Sequence, residues 1–111
     1  DHTEVNAVVA LNEWATLGAG EAVLGMNKSD EIFVSGFDNN ALSAERLEGG
    51  AVDSLVLQNP YAMGYLGVEK AWQSLQGQRF DANTLINTTT TTITRDTMFT
   101  IESQKAIFSF G

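Results

Sequence analysis

With 111 residues, 43% of them hydrophobic and 18% charged, the chain is sized for a single globular domain burying roughly two-thirds of its unfolded surface. Fourteen acidic residues against six basic ones give a formal charge of −8, which argues against phosphate backbones and anionic lipid as partners and so against nucleic-acid binding. The absence of cysteine excludes disulfides and thiolate metal sites, and no apolar run reaches the length needed to span a bilayer.

The chain opens Asp1-His2-Thr3-Glu4 directly before an apolar run. That opening is not a signal-peptide pattern, and we read it as the start of a piece cut from something longer. Val5 to Leu11 (VNAVVAL) is almost wholly apolar and predicts a strand covered on both faces. Asn12 ends it. Glu13 to Met26 carries Trp14, Leu17, Val23 and Leu24 at helical spacing. The next run, Ile32 to Val34 followed by Ser35-Gly36-Phe37-Asp38, predicts a buried central strand ending in a loop.

Ala41 to Glu48 predicts a short helix stopped by the glycine C-cap Gly49-Gly50, and Val52 to Leu57 a third strand. Asn59-Pro60 is a helix start, with asparagine as N-cap and proline at the first helical position. Tyr61 to Gln76 then presents Met63, Leu66, Val68, Trp72 and Leu75 toward a core. Beyond Gly77 the pattern weakens. Thr88 to Ile93 reads as extended because threonine is β-branched, and Met98 to Ile101 and Ala106 to Phe110 read as two short strands. The order β-α-β-α-β-α predicts an α/β fold, a three-layer sandwich on a parallel sheet.

Three polar side chains close the three predicted strands: Asn12, Asp38 and Gln58. A parallel sheet brings all three to one rim, where α/β sheets bind ligands. Planar carboxylate and carboxamide groups can hold neighbouring hydroxyls of a polyol. The competing reading for Asn12 and Asp38 is helix capping. Gln58 has less structural excuse, because Asn59 already occupies the cap position. Phe37 and Trp14 are candidates for stacking on an apolar sugar face or for packing, and Tyr61 for lining the mouth of a cleft.

Other chemistries fail on spacing. Gly18-Ala19-Gly20 lies inside a helix and lacks the third glycine of a dinucleotide fingerprint; small residues there suit close helix–sheet packing. Ser35 is not in a nucleophile elbow, and His2 has no readable partner. Glu13 with Asp38 is a weak carboxylate pair. No catalytic residue, metal site or cofactor is expected, and the chain does not read as an enzyme.

Ala7-Val8-Val9-Ala10-Leu11-Asn12-Glu13, Leu17-Gly18-Ala19, Val34-Ser35-Gly36-Phe37-Asp38, Leu47-Glu48-Gly49-Gly50, Ser54 to Pro60 and Met63-Gly64 follow one another. This series resembles the periplasmic sugar-binding protein family of the ribose type. The resemblance covers about residues 7–77 and corresponds to the later part of the carboxyl-terminal lobe. It implies a partial type I periplasmic-binding-protein lobe, with residues 78–111 as extended segments and Thr88 to Arg95 as a crossing between lobes. It further implies that Asn12, Asp38 and Gln58 hydrogen-bond sugar hydroxyls.

The implied function is monosaccharide binding as the solute-binding component of an ABC-type transporter. The partners are then a sugar and membrane transporter subunits, in a periplasmic or extracytoplasmic location, lipoprotein-anchored in a Gram-positive cell. Because the lobe would be incomplete, its exposed sheet edge invites a homodimer. The alternative is the effector-binding domain of a lactose-repressor-family regulator or of a membrane sensor kinase. Gly50 to Leu55, in place of a Pro-Leu-Thr-Thr stretch, favours transport.

Overall fold

A glycine fixes how the first helix meets the sheet. In the computed structural model, which describes residues 2–108, strand β2 (Phe33–Phe37) carries Gly36 directly beneath Thr16 of helix α1 (Glu13–Gly25). A Cβ at Gly36 would collide with the Thr16 side chain, so the helix can seat this closely only over a bare backbone. The Thr16 hydroxyl donates to the Asn12 carbonyl at 2.8 Å and accepts the Phe37 N–H at 3.2 Å. Buried, it is fully paired. Gly20 plays a similar part against Val52, whereas Gly18 faces open space.

Around this contact the sheet runs in the order β1 (Ala7–Val9), β2, β3 (Ser54–Leu57) and β4 (Thr91–Thr94). Strands β1, β2 and β3 are parallel, with Val8 opposite Val34 and Gly36 opposite Leu55. β4 departs from the expected all-parallel pairing: it runs antiparallel to β3, with Ile93 opposite Leu55. The threonine run is therefore extended as expected, and at Thr91–Thr94 it is built into this sheet. Asp53 lengthens the ladder at its start: its carboxylate accepts the Val34 N–H at 2.7 Å, and its own N–H donates to the Val34 carbonyl at 2.8 Å.

Side chains alternate along a strand, so Val34, Leu55, Leu57 and Ile93 share the face that carries Gly36 and meets α1. These residues, with Val23, Leu47, Val52 and Met98, form the core, all fully or nearly fully buried. Helix α2 (Ala41–Gly49) packs beside α1. It starts at a capping box in which Asn40 and Ser43 exchange hydrogen bonds at 2.8 Å. It ends at Gly50, with φ of 88°, as the glycine pair predicts. The Arg95 guanidinium lies over Gly50, where a Cβ would meet it.

Three expectations are corrected. Helix α3 (Pro60–Leu75) is capped by Asn59 as predicted, yet none of its residues is buried and its contacts with the other helices and strands are sparse. Met63, Val68, Trp72 and Leu75 are exposed, Leu75 to 84%. The amphipathic pattern was read correctly, but the surface it implies is absent among the described residues. Likewise β1 is not covered on both faces: it is an edge strand, and Val9 and Leu11 are 64% and 76% exposed. Finally, the two short strands expected after Met98 are replaced by helix α4 (Ile101–Ile107), with Thr100 as its N-cap and Gln104 tied to the Met98 carbonyl at 2.7 Å. Phe110, the end of the second expected strand, lies outside the described residues.

Candidate functional site

Because β1, β2 and β3 are parallel, their carboxyl ends share one rim, and the chain leaves each of them through a polar residue. Asp38 follows β2 with φ of 68°, a left-handed conformation that aspartate tolerates better than most residues. Its N–H donates to the Val56 carbonyl at 3.0 Å, fixing it beside the end of β3. Gln58 follows β3, and its Nε2 donates to Asp38 Oδ1 at 2.9 Å. Two side chains twenty residues apart thus meet across neighbouring strand ends, as the sequence predicts.

Both line a cleft of about 400 Å³ together with Glu13, Asn39, Leu57, Pro60, Met63, Ala106 and Ile107. That volume lies within the usual range for small-molecule sites, about 300–1,000 Å³. The floor is mixed, apolar where α3 and α4 contribute and polar at the rim.

The remaining candidates stand elsewhere. Asn12 caps α1, its Oδ1 accepting the Ala15 N–H at 2.8 Å, so the capping reading holds for this residue. It does not line the cleft, although its neighbour Glu13 does. Asp38 is not a cap; Asn40 fills that position for α2. Phe37 is half-buried and alternates to the sheet face opposite Gly36. Tyr61 lies on α3, stacked on Tyr65 with ring centroids 6.3 Å apart. It belongs to an apolar surface with Val68 and Trp72 and does not stand at the mouth of the cleft. Trp14 is exposed.

Asn39 and the α4 residues Ala106 and Ile107 are the site members that sequence reasoning missed. Asn39 reads as one more loop asparagine, and α4 was taken for strand. Among the described residues, no group of three or more His, Asp or Glu could hold a metal. The Ser35 hydroxyl accepts from Ser54 at 2.8 Å rather than facing a base. His2 meets only Glu4 at 3.2 Å, and both are exposed.

A family model described as a periplasmic binding protein domain matches residues 1–79. The chain belongs to the periplasmic binding protein family. Within it, the chain is 35% identical to the ribose import binding protein RbsB of Escherichia coli (strain K12) over 81 residues, which cover 73% of this chain and 27% of that protein. It is 33% identical to RbsB of Bacillus subtilis (strain 168) over 78 residues, 70% of this chain and 25% of that one. The chain therefore spans about a quarter of the length of these relatives.

Solved structures of other periplasmic binding proteins share the fold. A carbohydrate transporter solute-binding protein from Agrobacterium radiobacter, in complex with D-arabinose, superposes with a TM-score of 0.79 at 31% identity. The match covers 92% of this chain and 34% of that one. An ABC transporter solute-binding protein from Agrobacterium vitis, bound with α-D-tagatopyranose, gives a TM-score of 0.82 at 28% identity, over 95% of this chain and 35% of that one. The expected fold, an α/β type I lobe present in part, is the one found.

Proposed function

We propose that the chain is the ligand-contacting part of the carboxyl-terminal lobe of a solute-binding protein, which captures a monosaccharide outside the cytoplasm and delivers it to an ABC-type membrane transporter. The observation that carries this reading is the Asp38–Gln58 pair, 2.9 Å apart at the rim of the sheet and lining a cleft of small-molecule size. A carboxylate offers only acceptors and a carboxamide offers both donors and acceptors, so together they suit vicinal hydroxyls. Asn12, whose Oδ1 is used in capping, keeps its amide N–H groups for the same ligand. Phe37 is the apolar face nearest to it in sequence, and Tyr61 takes part only if α3 shifts.

The relatives reported above are import proteins and sugar-bound solute-binding proteins, which supports transport over a regulatory role. No catalytic step belongs to this reading. A lipid anchor would hold the parent protein at the membrane of a Gram-positive cell. The unpaired edge of β1 supports a homodimer of this chain when it stands alone.

Isothermal titration of the two-lobe protein that carries this chain, against a panel of monosaccharides, tests the proposal. We expect binding of at least one sugar, lost when Asp38 is replaced by alanine. Properly folded protein that binds none of them would overturn it. The 111-residue chain alone should bind no better than millimolar, because one lobe leaves each hydrogen bond competing with water, at about 0.5–1.5 kcal/mol net per bond.

A further inference from the structure

The two asparagines after Asp38 have different fates. Asn40 spends its side chain on the α2 capping box. Asn39 has no such use: its Oδ1 is buried and has no hydrogen-bond partner among the described residues, yet the residue lines the cleft beside Asp38 and Gln58. A buried acceptor left unpaired costs folding free energy, and such groups mark sites kept for something other than stability. The cleft is also one-sided in charge. Its lining holds two carboxylates, Glu13 and Asp38, and no lysine or arginine, in a chain whose formal charge is −8. Gln58 gives one N–H to Asp38 and keeps a second for a ligand.

We infer that Asn39 is a further ligand-contacting residue: a rotation of its side chain turns the amide oxygen, closed off and unpaired among the described residues, toward a ligand hydroxyl, while the carboxylates of Glu13 and Asp38 disfavour ligands that carry negative charge. The inference rests on the sugar-binding reading and deepens it. A hydroxyl or ammonium group satisfies the orphaned acceptor, whereas a phosphate or carboxylate substituent adds like charge to Glu13 and Asp38 and supplies no donor when ionised.

Nuclear magnetic resonance titration of the ¹⁵N-labelled two-lobe protein that carries this chain with D-ribose, D-glucosamine and D-glucose 6-phosphate, together with thermal melts of the variants of the 111-residue chain, tests this. The first two sugars should shift the Asp38, Asn39 and Gln58 signals, and the phosphate should not. Asn39→Ala should weaken binding by about 3- to 10-fold, the worth of one hydrogen bond. The same substitution should raise Tm by about 4 °C, because it removes an unpaired buried group. Unchanged binding by Asn39→Ala, or a lowered Tm, overturns the inference, as does phosphate bound as tightly as the neutral sugar. If Asp38→Asn weakens binding while Asn39→Ala does not, only the role of Asn39 fails. If no monosaccharide of the panel shifts any of the three residues in the two-lobe protein, the sugar-binding reading fails with it.

Discussion

Gly36 connects packing to the site in a single residue. Its missing side chain lets Thr16 reach the backbone of Phe37, which sets where β2 ends and hence where Asp38 stands. Gly36→Ala should force α1 outward and destabilise the fold by about 1–3 kcal/mol, the usual cost of overpacking. Urea unfolding followed by circular dichroism measures it, and a variant as stable as the parent would show that the helix has room to spare. The glycine is visible in the sequence as part of Gly-Phe-Asp, but its reason is not: the partner lies twenty residues upstream. Asp38 and Gln58 were legible for the opposite cause, since each follows an apolar run; for Gln58 the neighbouring Asn59 already marks the cap, whereas only the structure, with Asn40 capping α2, removes that role from Asp38. Asn39 was illegible because nothing in its type or spacing separates a ligand-facing asparagine from a turn-forming one.

Among the elements, capping signals mark the helices and apolar runs the strands, and both rules hold through α3. Asn12, Asn40 and Asn59 each cap the helix they precede. The rules failed at the end of the chain, where Thr100 begins a seven-residue helix whose β-branched Ile101 and Ile107 mimic strand. The available start signal was Thr100 itself, a cap residue type whose Oγ1 accepts the Ser103 N–H at 3.2 Å. α3 is the instructive case. With little tertiary packing to hold it, and with Gly64 and Gly67 inside it, its helicity leans on its own cap and local pairs. Asn59→Ala should therefore reduce the helical signal at 222 nm, with a local cost of about 0.5–2 kcal/mol, while leaving the unfolding midpoint of the sheet unchanged. A matching fall in that midpoint would mean that α3 is braced by the rest of the molecule after all.

Taken whole, the molecule is drawn out. Its radius of gyration is 17.6 Å, against about 13 Å for a compact chain of this length, and its extents are 58 × 34 × 17 Å. Two apolar surfaces contribute: the face of β1 and β2 bearing Val9 and Phe33, and the α3 stripe of Tyr61, Tyr65, Val68 and Trp72. A strand edge beside exposed apolar residues favours self-association, and a charge of −8 opposes it. Sedimentation at several concentrations should thus show dimers that strengthen with added salt, as screening removes the repulsion. Monomer throughout would rule the edge out as a contact. The overall architecture was legible because strand, helix and cap signals agree over residues 7–77; the elongated outline was not, because periodicity reports an apolar face without saying what meets it.

The unbraced helix also acts as a lever arm. α3 is a rod about 24 Å long, rooted two residues past Gln58 and touching little along its length. A tilt of about 10° at that root swings the far end by about 4 Å. Trp72 rides near that end with 61% of its surface exposed. A displacement at the carboxyl end of β3 is therefore magnified at the indole, which lines no part of the cleft.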